Sequence, residues 1–385
     1  MHDLCITGGT VLLGSDGPVA TDIVVEDGLI GRIGGAGGGL SFDATGLLVL
    51  PGIVDLHGDA FERQLQPRPG VNFPADLALR DTEAQLLANG ITTAFHGVTL
   101  SWEPGLRSLT AWRALLDALD AGSWVCDMRV HLRWEAYNLD ATETALSDIA
   151  AGRVHLLAFN DHTPSILKKL KDPVEGSKYS GRAGMGMEAF RAMADGVAAR
   201  ADAVPAALDR MAAAAAAAGL PMASHDDDSI AVRDNFRALG ARICEFPMAE
   251  AVGAAAVAAG DFVVMGCPNV VRGGSHLGWA SAATLAEAGI CTVLTSDYYY
   301  PAMMRAAFIL AERGKLDLAR AWGLISENPA RAGGLTDRGV IEAGKRADLV
   351  VVDTATSRAV ATIVGGRVAF VTADGSERLR QAARG

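Results

Sequence analysis

Aromatic residues are scarce, at 6% of 385, and no apolar run reaches the roughly 20 residues that span a bilayer. A membrane-embedded helical protein is therefore excluded as an expectation. Paired cysteine motifs are also missing. Cys5, Cys126, Cys244, Cys267 and Cys291 are odd in number, scattered, and form no CxxC, which removes disulfide scaffolds and thiolate zinc sites and leaves buried, reduced thiols. The opening MHDLCITGGTVLLGSDG places acid early and has no basic stretch leading into an apolar one. It does not read as a signal peptide, so a cytoplasmic location is expected. Basic charge is short as well: the formal net charge of −11 argues against nucleic acid as a partner, though not against a local cationic pocket.

Alanine and glycine are plentiful, which suits close-packed helices and many turns. A single barrel takes about 250 residues, so the chain has length to spare for a second unit. Its ends share one texture. LCITGGTVLL, DIVVEDGLIGRIG and GLLVLPG near the start, and RADLVVVD and TIVGGRVAFVT near the finish, alternate β-branched residues with glycine turns. They are expected to build one small β-sandwich domain from residues 1–50 and 340–385. Between them, apolar strands are read near 52–57, 91–96, 127–134, 154–160, 220–225, 242–246, 262–267 and 291–296. Helical stretches separate several of them, the clearest spanning 186–219 and closing on a glycine. The fold class is α/β, a distorted (β/α)8 barrel of the TIM type over 51–339. The run 165–185 has no clear period and reads as a long mobile loop.

The chemistry lies in where the histidines and acids fall. PGIVDLHGDAFE ends a strand with His57 and Asp59 two residues apart, on one side of the chain. VHLRWE ends with Glu135, LLAFNDHTP leads to His162, LPMASHDDDS to His225 and ICTVLTSDYYYP to Asp297. Singly, a strand-end histidine is an ordinary polar group and a strand-end carboxylate an ordinary helix cap. Together they all fall at the barrel end where catalytic residues gather. Imidazole with carboxylate suits Zn, Mn or Fe, and six such groups exceed one tetrahedral site, so two divalent ions are expected. His96, His131 and His155 fit this placement less well and read as structural or substrate-facing. One or more of Asp226, Asp227 and Asp228 is expected to support a ligand rather than act as one.

These motifs carry a resemblance. PGIVDLHGDAFE, HLRWE, NDHTP, ASHDDDS, PNVVRGGSH and SDYYYP, with the ending ENPARAGGLTDRGVIEAGKRADLVVVD, resemble the PhnM family of the amidohydrolase superfamily over about residues 3–371. The resemblance implies hydrolysis of α-D-ribose 1-methylphosphonate 5-triphosphate to the 5-phosphate and pyrophosphate, by attack of metal-activated water on phosphorus. It implies a small phosphorylated substrate, and assembly with further copies of the chain is expected. Asp297 would then be the general base, while Arg63, Arg133, Arg272 and His276 would face the substrate. Lys168, Lys169, Lys171, Lys178 and Arg182 would add positive charge in the 165–185 loop. Two runs depart from the family pattern: Ser165-Ile166 after DHTP, and Leu277-Gly278-Trp279 after GGSH. The apolar Leu277 and Trp279 keep open cleavage of an N-acyl or cyclic amide by the same centre. A barrel that has lost its metals and serves only assembly disagrees with the intact ligand set.

Overall fold

The computed structural model of the chain describes residues 4–14, 17–35, 37–68, 70–274 and 281–381. The N-terminal segment supplies β1 (Leu4–Thr7), β2 (Thr10–Leu12), β3 (Pro18–Ala20), β4 (Ile23–Glu26), β5 (Leu29–Ile33), β6 (Leu40–Asp43) and β7 (Leu48–Pro51). The middle supplies β8 (Ile53–Gly58), β9 (Ile91–Leu100), β10 (Asp127–Glu135), β11 (Leu156–Asn160), β12 (Met222–His225), β13 (Ile243–Glu245), β14 (Phe262–Gly266) and β15 (Val293–Thr295). The C-terminal segment adds β16 (Leu349–Asp353), β17 (Arg358–Val364), β18 (Arg367–Val371) and β19 (Leu379–Gln381).

Strands β8 to β15 form one eight-stranded sheet in sequence order, with parallel pairing throughout. It curls until its first and last strands meet. Gly58 bridges Asp297, the Asp297 amide donates to the His57 carbonyl at 3.0 Å, and the Asp59 amide donates to the Asp297 carbonyl at 2.8 Å. A buried carboxylate clasps the same seam from within. Asp55 accepts from Thr295 Oγ1 at 2.5 Å, from the Ser296 amide at 2.9 Å and from Ser296 Oγ at 2.5 Å. Val54, Phe95, Leu156, Ala158, Ala223 and Ile243 fill the lower interior, closed beneath by Ala330 and Ala332. The structure is thus a (β/α)8 barrel with helices outside it.

The two ends of the chain share two further sheets, ordered β19-β6-β1-β4-β5 and β18-β17-β16-β7-β2-β3. β16 runs antiparallel to β7, with Val350 opposite Leu50, and β19 runs antiparallel to β6. Ile6, Val25, Phe42, Val49, Leu349 and Val351 pack between these sheets as a separate apolar core. β7 and most of β16 are buried on both faces, because the barrel covers their other side.

Two expectations are corrected. The 165–185 segment is not a mobile loop but parts of two helices, Thr163–Lys169 and Pro173–Ala183. Asp172 starts the second one by accepting from the amides of Val174 and Glu175 at 2.8 and 3.2 Å, with Pro173 in the first turn, and left-handed Gly184 ends it. Ile166, Leu170, Phe190 and Ala194 give these helices a small core of their own. The expected helix 186–219 is divided into Met187–Ala198 and Val204–Ala217. Pro205 cannot donate within a continuous helix, but it is accommodated in the first turn of a new one. Among the described residues no helix is long and apolar enough to cross a membrane.

Asp55→Ala should leave the Ser296 amide and hydroxyl without their acceptor, while Thr295 Oγ1 keeps the His57 carbonyl at 2.6 Å, and so loosen the barrel seam. The expected cost is about 2–4 kcal/mol, read as a lower urea midpoint with an unchanged slope. An unchanged midpoint would show that the seam holds without the clasp.

Candidate metal centre

Two residues above the apolar plug, the barrel interior turns polar. Ala223 is followed on the same face of its strand by His225, and Ile243 by Glu245. β10 sends in His131, Arg133 and Glu135 at the same spacing.

Glu245 lies at the centre of this layer and is fully buried. Its Oε2 is hydrogen-bonded to His225 Nδ1 at 3.2 Å, and its Oε1 lies 3.0 Å from His57 Nδ1 and 3.6 Å from His131 Nε2. Those last two approaches lack hydrogen-bond geometry: Glu245 Oε1, His57 Nδ1 and both ring nitrogens of His131 are buried without hydrogen-bond partners. Leaving such an atom unsatisfied costs roughly 1–3 kcal/mol, and a cation between them would satisfy Glu245, His57 and one nitrogen of His131 together. His57, His131 and Glu245 offer donor atoms within 4.8 Å of one another, and so do His162, His225 and Asp226. The donor set fits a divalent transition metal in either group.

The electrostatics follow from burial. Desolvation holds His57 and His225 well below the ordinary imidazole value and His131 at about 3. Glu245 is raised, also by burial. The buried imidazoles are therefore neutral, the form that offers a lone pair to a metal. His162 differs. Burial opposes its charge, but the Asp226 and Glu135 carboxylates outweigh it and lift it to about 8. Phe246 packs its ring edge-on to both His57 and His225, with centroids 5.1 and 5.3 Å away. Asp226, Phe246 and Asp297 each follow a barrel strand in left-handed backbone, with φ of 59°, 52° and 55°. Such a conformation costs a non-glycine residue about 1–3 kcal/mol and gathers at functional sites.

The six residues predicted as ligands separate here. His57, His162 and His225 enter the two cation-capable groups, while Asp59, Glu135 and Asp297 stand outside them. Glu135 accepts from the His162 amide at 3.1 Å, the Thr163 amide at 3.2 Å and Thr163 Oγ1 at 2.8 Å, and so caps the helix Thr163–Lys169. Asp59 Oδ2 lies 3.7 Å from Arg133 Nη1, and burial with the charge of Glu62 raises Asp59 to about 6. Asp297 is raised to about 7 by burial and then by Asp59. Its Oδ2 fits against Gly266, where a Cβ would come within 3.0 Å.

Of the residues assigned to the substrate, Arg133 is inside the ring and 7% exposed. Arg63 and Arg272 meet at Tyr298: Arg63 lies 6.0 Å from its ring centroid, and Arg272 Nη1 donates to its hydroxyl at 3.3 Å. His276, Leu277 and Trp279 lie outside the described residues. His96 is buried against the edge of Phe61, and His155 accepts from the Val130 amide at 3.1 Å, a structural use. Strand-end reasoning passed over Glu245, although ICEFP ends a strand as the other motifs do. It also ranked His131 too low: its spacing from Arg133 and Glu135 puts all three on one face.

The amidohydrolase family model matches residues 48–376. The chain belongs to the amidohydrolase family. Within that family it is PhnM-like: the Escherichia coli K12 alpha-D-ribose 1-methylphosphonate 5-triphosphate diphosphatase is 32% identical over 321 residues, 81% of this chain and 84% of that one. This amidohydrolase is therefore a metal-dependent hydrolase. Its fold is shared with an amidohydrolase from a Sargasso Sea sample, at TM-score 0.66 and 18% identity over 96% of this chain and 93% of that one. The N-acetylglucosamine-6-phosphate deacetylase of Pasteurella multocida has the same fold, at TM-score 0.63 and 11% identity over 95% and 99% of the two chains.

Two outcomes follow for the amidohydrolase. Glu245→Gln should weaken divalent-metal affinity by about 10–100-fold, measured by competition with a chromophoric chelator; unaltered affinity would mean the carboxylate neither binds nor orients. The second concerns pH in the metal-free protein. Asp297, raised to about 7, keeps a proton that the unfolded chain loses, so its contribution falls as pH rises to 7. His162, raised from 6.5 to about 8, contributes fully below 6.5 and loses that contribution as pH rises through 8. Both act in one direction, against the buried neutral imidazoles of His57, His131 and His225, which gain stability as pH rises through 6.5. Relative to wild type, His162→Gln should therefore lose more melting temperature at about pH 6 than at about pH 8.5, and an equal loss at both would contradict the assignment.

Proposed function

We propose that this amidohydrolase cleaves a phosphoanhydride, taking α-D-ribose 1-methylphosphonate 5-triphosphate to the 5-phosphate and pyrophosphate. The observation that carries the reading is Arg133, a guanidinium within the donor ring whose Nε is buried and has no hydrogen-bond partner. A permanent cation beside the reacting centre suits the charge spread over phosphoryl oxygens in the transition state. The 32% identity to the E. coli diphosphatase supports the same substrate class.

Two divalent ions would be held by His57, His131 and Glu245 within, and by His162, His225 and Asp226 nearer the surface, with Asp59 beside them. A bound ion would supply a water of near-neutral pKa and a Lewis acid for the phosphoryl oxygens. Asp297 would be the residue that holds a proton on its carboxylate and passes it to the leaving group. A carboxyl with a value of about 7 is poised to hold a proton and to release it near neutrality. Arg133 neutralises the reacting phosphoryl group, while Arg63 and Arg272 at the mouth bind the outer phosphates. Gly273 and Gly274 leave the backbone beside Arg272 free of side chains.

Incubation of the metal-loaded enzyme with the ribosyl triphosphate and, separately, with N-acyl amino acids tests the reading. Pyrophosphate release from the first is expected. Hydrolysis of the second alone would replace the phosphoanhydride with an amide. Asp297→Asn should lower kcat by about 10²–10⁴-fold while most bound metal remains. Near-normal turnover in that variant would exclude Asp297 as the proton carrier.

A further inference from the structure

Arg133 has two polar neighbours in the site. Its Nη2 lies 2.9 Å from His225 Nε2, and its Nη1 lies 3.7 Å from Asp59 Oδ2. The pose is built into the barrel wall. Gly97 sits alongside, and a Cβ there would come within 3.3 Å of Arg133 Cδ and 3.4 Å of His57 Nε2.

An arginine only donates, so His225 Nε2 must be the acceptor and must carry a lone pair. The proton of this neutral ring is then on Nδ1, which donates to Glu245 Oε2. That is also the tautomer in which His225 would bind a metal through Nε2. One lone pair serves one partner. We infer that Arg133 and a divalent ion in the outer group compete for His225 Nε2, so that loading the ion turns the guanidinium away from His225 and toward the anionic substrate. This rests on the reading that His162, His225 and Asp226 hold an ion.

The competition has two consequences. The outer ion binds more weakly than its donor set alone would allow. An anion that engages Arg133 also strengthens the outer ion, because such coupling is reciprocal. Arg133 thus links metal occupancy to substrate charge, in addition to its contact with the phosphoryl group.

The test uses metal-free wild-type protein and Arg133→Met, titrated with Zn²⁺ alone against a chromophoric chelator, with no substrate present. Arg133→Gln serves as a second uncharged variant, and circular dichroism checks the fold of each. Competition predicts that the weaker Zn²⁺ tightens on the order of tenfold in the variants, the loss expected for a hydrogen bond from a charged donor. It also predicts little change in the stronger one. A second ion bound by the variants where wild type binds one supports the same conclusion. If wild type binds Zn²⁺ and the variants bind it equally or more weakly, the competition is refuted while the metal centre stands. A wild-type protein that binds no Zn²⁺ removes both.

Discussion

A carboxylate without water around it governs the interior of this enzyme. Glu245 is buried at the end of a three-residue strand, and three imidazoles turn toward it. Moving a carboxylate out of water is costly unless opposite charge or hydrogen bonds compensate. Here a single hydrogen bond, to His225, is in place, while the approaches of His57 and His131 leave their atoms unsatisfied. Neutral histidines cannot supply the missing positive charge. That demand is what makes the layer a candidate cation site.

Much of this was legible in the chain. All eight barrel strands appear where apolar stretches end in polar loops, since parallel strands covered on both faces must be apolar along their length. His57, His162 and His225 stand at or just beyond those strand ends for the same reason. The helices within 163–183 were not legible. They are short and rich in lysine, and their apolar residues, Ile166 and Leu170, meet Phe190 only after the chain turns back twice. Glu135 shows what strand position leaves open. It stands where a ligand would, and its carboxylate caps the helix beginning at Thr163. Side-chain position could be read from strand period, but the choice between two partners for one carboxylate depends on distances that no local pattern encodes.

The strand ends carry strain as well as function. Asp226, Phe246 and Asp297 occupy backbone that favours glycine, and each stands directly behind or beside a donor. The turn redirects the chain so that Asp226 returns toward His162 and His225, with its two carboxylate oxygens 3.6 and 3.7 Å from their Nε2 atoms. Stability lost in the backbone is offset by the packing of the plug below and by the seam at Asp55.

That seam has a consequence for how the protein comes into being. Asp55 and Ser296 are separated by 241 positions, and β7 waits for β16 across almost the whole chain. As the polypeptide leaves the ribosome, its first strands can pair with one another, but β7 and β6 emerge with one edge open. The first-to-last closure of the barrel waits for Asp297, and the sheets of the two ends are completed only when β16 to β19 have been made. Contacts this distant in sequence slow folding and prolong the exposure of unpaired edges. Because His57 sits beside that seam, the spacing of the donor groups depends on closure, although all their residues, from His57 to Glu245, are made before the strand that closes it.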